Sequence, residues 1–492
     1  MRLPHRSLHR IDPTKPKNPY PFHLLKLHFM DRIGAITALA LLLGSCNMLG
    51  PEHSVPETES AKKYKIHSAS YASRMSKDWW REFGDSQLDS LMADLGKGNF
   101  DLRAAEGRRN QAYAALGIDR TKLYPEVLSG ASITRSRNSE NSNGGSGGPM
   151  STYYNEYNVS MALGYELDLW GRVRRIVEAG NANATAAEIS VDLVRLSLQA
   201  QLANNYFAMR FLDSEAEVLQ QTLKTRKESL KLANDLFKAG KSGELDVARA
   251  EAELASAQAL LVSLQGPRAN LENAIAILVG KNASNFKIAQ EGIHRNAPSL
   301  SAGVPAELLG RRPDVFVAER KLAASSAEIG IKEAGFYPKF LLIGTGGFSA
   351  IHSSNFLKYS SSEFAIGPDI QLPLLQGMRR KSDLALAKAQ HEEALANYQQ
   401  TVLGAFADVE NALATRQAAI NEITAQKESV AASEKALKLS DARYREGVSS
   451  YLEFIDSQRE LLNAQRNEVQ ARGRSFAATV QLMQALGGGF SK

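Results

Sequence analysis

At 492 residues, with 43% hydrophobic and 23% charged residues, the chain is too long for one ordinary core and too apolar for wholesale disorder. The formal net charge of +6 depends partly on the first 32 residues, where Arg and Lys outnumber Asp and Glu, so the basic balance is no argument for nucleic-acid binding. One cysteine, Cys46, excludes an intrachain disulfide.

In chain order, the first feature is an apolar stretch over 33–43, too short to span a bilayer as a helix. It ends in Leu43-Gly44-Ser45-Cys46, a signal-peptide pattern with the cysteine directly after the small residues. This resembles the bacterial lipobox, whose cysteine is acylated and becomes the mature N-terminus; the competing reading is a free or buried thiol. The resemblance implies a covalent lipid on Cys46, palmitate among its acyl chains, and Asn47 implies sorting to the outer membrane. Residues 1–29 are unusual for such a signal, and Met30 is an alternative start. No other segment approaches the roughly 18 apolar residues of a membrane helix, so any crossing of a bilayer must be made by strands in a closed barrel.

Residues 51–59, rich in Pro, Ser and Glu, read as a tether. Trp79, Trp80 and Phe83 precede a helical segment over roughly 85–123, stopped at Tyr124-Pro125. Two alternating runs follow. In the second, Tyr157, Val159, Met161, Leu163, Tyr165, Leu167 and Leu169 interleave with small or polar residues, which predicts a strand with one apolar face. Its partner is 127–137, with Val127, Ala131 and Ile133 on one face, and the Gly- and Ser-rich connection 139–151 reads as an exposed loop. Strands of this length suit a tilted membrane crossing. Glu166 and Asp168 fall on the polar face and read as pore-lining rather than catalytic.

From Gly171 to about Ala239 the chain has no Pro. Leu212, Ala216, Leu219, Leu223, Arg226, Leu230, Ala233 and Phe237 step by four and three, a coiled-coil seam with one polar slot at Arg226. Such a helix is a rod of roughly 100 Å. A glycine-containing turn at 238–243 reverses the chain, and a second helix returns from Glu244 towards Gly280. Gly266-Pro267 is expected to kink or break it.

The whole pattern then repeats. Tyr337-Pro338 echoes Tyr124-Pro125; 340–349 and 364–372 form a second strand pair, with Phe364, Ile366, Ile370 and Leu372 on one face. Gly377 echoes Gly171, Gly447 echoes Gly240, and FKAGKSGELDVARAEAELASAQ at 237–258 is rewritten as YREGVSSYLEFIDSQRELLNAQ at 444–465. The resulting division is 1–45, extension and signal; 46–97, tether and equatorial segment; 98–280, first repeat, with its hairpin about 126–169 and helices about 171–280; 281–312, linker; 313–486, second repeat, with its hairpin about 339–373 and helices about 377–486; and 487–492, tail. The fold class is mainly α with a membrane β-barrel. Four strands cannot close a barrel, since the smallest have about eight, so several chains must share one wall; a trimer supplies twelve strands, and other numbers stay open.

The chain resembles the outer membrane factor family, the TolC-like exit ducts of tripartite efflux pumps, and most closely its lipoprotein branch. The residues that carry the likeness are Cys46 with Gly50-Pro51 and Pro56; Trp79-Trp80 with Asp85 and Leu88; Leu309-Gly310-Arg311-Arg312-Pro313-Asp314-Val315 with Ala318-Glu319; and 444–465. The likeness implies a homotrimer with a twelve-stranded outer-membrane barrel continued by an α-helical barrel in the periplasm. It also implies a periplasmic adaptor protein docked at the tips marked by Gly240 and Gly447, and an inner-membrane pump of the RND type that supplies the energy. At the periplasmic mouth the family motif places Leu452, Glu453, Asp456 and Arg459. Leu452, Asp456 and Arg459 share a helical face, and threefold symmetry would turn each into a ring. Crowded carboxylates favour cations and repel one another, and a nearby Arg opposes the resulting pKa rise. Without the motif, the same residues read as an ordinary solvated face.

No P-loop, Gly-x-Ser-x-Gly or paired-Cys motif occurs, and His294, His352 and His391 lack ligand spacing, so neither an enzyme nor a metal cofactor is expected. A lipid-anchored coiled-coil scaffold without a pore is the second reading. The period-two segments weigh against it, because a scaffold has no use for apolar faces that must meet lipid.

Overall fold

The computed structural model describes residues 48–57, 64–65, 76–137, 153–300 and 310–490. Cys46, Asn47, the signal stretch 33–43, the connection 139–151 and Leu309 lie outside the described residues.

A short 3₁₀ turn, Trp79–Phe83, opens the equatorial segment. The single helix expected over 85–123 is instead two, α1 (Ser86–Gly98) and α2 (Phe100–Thr121). Asn99 between them is extended; its side chain accepts from the Leu102 amide at 2.9 Å, capping α2, and donates to the Leu278 carbonyl at 2.8 Å. Asp85 caps α1 in the same manner, accepting from Gln87 and Leu88.

Strands β1 (Glu126–Arg137) and β2 (Tyr153–Leu167) form the first hairpin, and β3 (Lys339–Ala350) and β4 (Ser362–Gln371) the second. All are antiparallel in the order β1-β2-β3-β4, so β2 and β3 join the two repeats in one sheet. The register puts the expected apolar residues on a common face. Val127 lies opposite Leu163, Val159 opposite both Ala131 and Phe348, Tyr165 opposite Leu342, and Phe340 opposite Ile370. Much of that face is open: Phe364 is 86% and Ile133 75% exposed.

Helix α3 (Arg172–Lys238) follows β2 as 67 uninterrupted residues, about 100 Å long. Its seam is buried at Ala216, Leu219, Leu223, Arg226 and Ala233, whereas Phe237 at the tip is exposed. The strand end is one correction to the sequence reading. β2 stops at Leu167, and Asp168 accepts from the Val173 and Arg174 amides, capping α3, while Glu166 grips Arg172 with two bonds of 2.8 and 2.5 Å. Both carboxylates are thereby paired joints between strand and helix.

The first returning helix breaks as expected, into α4 (Glu244–Ser263) and α5 (Gln265–Leu278). Pro267 has no amide to donate and its ring crowds the carbonyl four residues back, that of Ser263, where α4 ends. The second repeat supplies α6 (Pro313–Ala334), α7 (Gly377–Arg445, 69 residues) and α8 (Tyr451–Ala485), the last unbroken for 35 residues.

Helices α3, α5, α7 and α8 end with the same device. The residue after a left-handed glycine donates back five positions: Lys241 to Leu236, Lys281 to Ala276, Val448 to Arg443, and Gly488 to Met483. The main core lies in the equatorial segment, where the Phe207 ring packs at a tilt on Phe83 and Phe476, with centroid separations of 4.6 and 4.9 Å, in one cluster with Trp79 and Leu88. A Cβ on Gly487 would stand 1.9 Å from the Arg311 carbonyl oxygen, whereas one on Gly240 would meet nothing within 4 Å. Gly240→Ala is therefore expected to cost only the left-handed strain, about 1–2 kcal/mol. Gly487→Ala must in addition push the backbone of residue 311 aside, and thermal unfolding in detergent should show a clearly larger loss of melting temperature for it.

Candidate gate at the helix tips

The α3–α4 and α7–α8 turns lie side by side, packed on a satellite cluster of Ala233, Ala250, Tyr444, Tyr451, Phe454 and Ile455. The rings of Tyr444 and Phe454 stack 5.6 Å apart. Desolvation raises the pKa of Tyr444 and Tyr451 above the usual phenol range, so both stay neutral. Gly240 and Gly447 sit at the two turns with φ of 69° and 74°, in open surroundings.

The first turns of α8 have two faces. Tyr451, Phe454, Ile455, Gln458 and Leu462 face inward, and Leu452, Glu453, Asp456 and Arg459 form the exposed stripe. The structure thus brings all four sequence-predicted gate residues together. They are not free of one another: Arg459 contacts Asp456 at 3.4 Å, and Glu453 meets Arg443 of α7 at 3.3 Å.

Arg459 makes its main contact elsewhere, donating through Nε and Nη2 to one Glu253 oxygen on α4 at 2.8 and 2.5 Å. The other Glu253 oxygen is 2.8 Å from Nη1 of Arg226, which also donates to the Glu253 backbone carbonyl. Arg226 is only 4% exposed. Its burial pushes its pKa down against the attraction of Glu253, while the hydrogen bond to Glu253 pushes that of Arg459 up. Glu253 is therefore a shared acceptor between two helix hairpins of one chain, and Asp456 extends the line of charges to the surface. Gln458 reinforces the same seam, donating to Ser229 at 2.9 Å.

Sequence reasoning missed Glu253. The available signal was Arg226, a cation in an apolar seam, which demands an acid on the facing helix. Among the described residues, no cluster of three His, Cys, Asp or Glu side chains is placed to hold a metal ion. His391 contacts Ser325 at 3.0 Å and His294 contacts Glu217 at 3.2 Å. No described helix is long and apolar enough to cross a membrane.

Comparison with known proteins places this architecture. The family model for outer membrane efflux proteins matches residues 91–281 and 304–488, which span the two repeats. SilC of Salmonella typhimurium, described as a probable outer membrane lipoprotein, is 26% identical over 406 residues, covering 81% of this chain and 86% of SilC. The cation efflux system protein CusC of Escherichia coli K12 is 27% identical over 399 residues, covering 79% of this chain and 84% of CusC. The solved structure of the outer-membrane channel OprN superposes with a TM-score of 0.83 at 31% identity, covering 89% of this chain and 99% of OprN. With two helix–hairpin–helix units fused through one sheet, this chain belongs to the outer membrane efflux protein family, and it is an outer-membrane efflux channel protein rather than an enzyme.

Proposed function

We propose that three copies assemble into one conduit, a twelve-stranded barrel in the outer membrane continued by a tube of the long helices, through which substrates pass passively from periplasm to exterior. The observation that carries this reading is the sheet. One face is apolar across all four strands, and the outer edges of β1 and β4 have no further strand partner among the described residues. In hydrocarbon such edges must be paired, and another copy of the same chain has the matching edge. A heat-labile trimer band in detergent and single-channel currents in a planar bilayer test it; a monomeric, non-conducting rod would favour the scaffold reading.

A lipid on Cys46 fits the same geometry. The Leu49 amide donates to the Trp170 carbonyl at 3.2 Å, and Arg175 holds the Leu49 and Gly50 carbonyls at 3.0 and 3.2 Å. The start of the tether is thereby fixed at the junction of β2 and α3, beside the Trp170, Tyr337 and Phe340 rings. Three residues, from Leu49 back to Cys46, reach at most about 11 Å, so acyl chains on Cys46 would enter the bilayer at the rim of the barrel, where aromatic residues favour the interface. Anchoring to the outer membrane and extension into the periplasm follow.

At the other end, the four-residue stripe on α8 forms the gate, closed by the Arg226–Glu253–Arg459–Asp456 line. The open turns at Gly240 and Gly447 receive a periplasmic adaptor, and an inner-membrane pump of the RND type drives transport. The efflux-system naming of CusC supports a pumped assembly.

Asp456→Ala is expected to raise the basal conductance in a planar bilayer, and a pore as closed as the parent would reject Asp456 as a gate residue. Glu253→Gln leaves Arg226 buried beside a neutral partner. It should both open the pore and lower stability by about 3–5 kcal/mol, the cost of breaking a buried pair, read as a drop in melting temperature. Cys46→Ser should abolish incorporation of labelled palmitate while leaving the trimer band intact, and continued labelling would refute the anchor.

A further inference from the structure

Several arginines withdrawn from solvent are neutralised by acids: Arg226 has Glu253, Arg268 has Asp213, and Arg312 has both Asp314 and Asp408. A cavity of about 210 Å³ where the linker crosses α7 and α8 differs; it is lined by Arg416 and Lys427 of α7, Arg472 of α8, and the apolar side chains of Ile420, Ile423 and Phe476. Among the described residues, no acid lines it. Arg295, also on its wall, is already neutralised by Asp85 at 2.7 Å.

Two of the three remaining cations are held in fixed orientation. Arg416 donates through Nη2 to the Pro298 carbonyl at 3.1 Å, and Arg472 donates through Nη2 to the Arg295 carbonyl at 3.1 Å. In each, the Nε atom is buried and has no hydrogen-bond partner. Lys427 is exposed and, among the described residues, forms no ion pair. Burial alone depresses the Arg416 pKa; no acid offsets it. A guanidinium half-withdrawn from water with no acid beside it is costly, and the usual remedy is a paired anion.

We propose that this cavity is a binding site for a small organic oxyanion, a carboxylate or phosphate monoester carried on a compact apolar group. The oxyanion pairs with the guanidinium groups of Arg416 and Arg472, whose planar forks suit bidentate oxygens, with Lys427 as a third charge. The apolar group lies on Ile420, Ile423 and Phe476. The space equals that of about seven water molecules, enough for a ligand the size of a single amino acid and too small for a long chain. Both arginines also hold the linker, so occupancy ties the linker to α7 and α8. This site lies in the equatorial region, well away from the helix tips, and stands independently of the proposed gate.

The test uses the full-length protein purified in detergent, titrated calorimetrically and by thermal shift. The probes are N-acetyl-leucine, phenyl phosphate and the neutral N-acetyl-leucinamide. At least one anion should bind once per chain and raise the melting temperature, with no response to the neutral analogue; the tighter anion identifies the ligand class. Arg416→Gln and Arg472→Gln should each weaken binding tenfold or more, and Lys427→Gln several-fold. Should an arginine variant fail to assemble, Lys427→Gln and Lys427→Glu decide, since that side chain is exposed and unpaired. Equal binding of the neutral probe, no binding of either anion, or unchanged affinity in Lys427→Glu would overturn the site.

Discussion

A backbone amide or carbonyl left unpaired in hydrocarbon costs several kcal/mol, and that constraint governs the architecture. Within one chain β2 and β3 satisfy each other, so the two repeats are fused through their strands before anything else is considered. Among the described residues, what remains open is one edge of β1 and one edge of β4. The helices inherit the consequence. Each long helix starts within a few residues of a strand end, α3 after β2 and α7 after β4, so closing the strands into a ring forces the rods into a ring below it. The carboxylates of Glu166 and Asp168 make that transfer stiff by binding Arg172 and capping α3 at the first turn.

The same logic of fixed joints explains the family-motif residues. Each repeat closes on its own start. Asn99 donates to the Leu278 carbonyl at 2.8 Å, and Arg312, 213 positions later, donates to the Ala485 carbonyl at 3.1 Å, 207 positions after Leu278. The glycine pairs follow suit, Gly280 against the Gly98 carbonyl and Gly487 against that of Arg311. An amide serves in the first repeat. A guanidinium serves in the second, where it also binds Asp314 at 2.6 Å and Asp408 of α7 at 2.9 Å. Asp85 likewise caps α1, accepts from the Tyr206 hydroxyl at 3.0 Å and pairs with Arg295. Glu319 fastens the tether, 2.6 Å from His53. Burial works to raise its pKa, but hydrogen bonds from Arg320 and His53 hold it below the usual carboxylate range. These residues hold the duct together; none touches a reacting group.

The sequence made the regular parts legible because their periodicity is imposed locally. Lipid on one side of a strand demands alternation, and the four strands lie within a few residues of their expected bounds. Pro267 announced the break in the first returning helix through its own covalent structure. Other features depend on partners far along the chain. Glu253 sits in a helix surface rich in Glu and Ala, and only the approach of Arg226, 27 residues earlier, and of Arg459 on α8, 206 residues later, distinguishes it from Glu251. The division at Asn99 was obscured because Gly98-Asn99 interrupts a run of good helix formers without Pro, and the Leu278 carbonyl that rewards the break is 179 residues away. The anion cavity was equally invisible, since its cations come from two helices brought together beneath the linker.

The two tips, alike in backbone, differ where charge matters. Aligned on Gly240 and Gly447, both repeats carry an acid at the first position, Asp246 and Glu453, but the first repeat has Arg249 and Ala252 where the second has Asp456 and Arg459. The returning helices differ in the same sense. α8 runs unbroken from the tip into the equatorial core, where Phe476, Val480 and Met483 are fully packed, so displacing its first turn means bending a 35-residue rod. α4 ends at Ser263 and is separated from the packed α5 by the break at Leu264. Glu253, which accepts from both Arg226 and Arg459, rides on this shorter element, so the contact between the two hairpins joins a broken returning helix to an unbroken one.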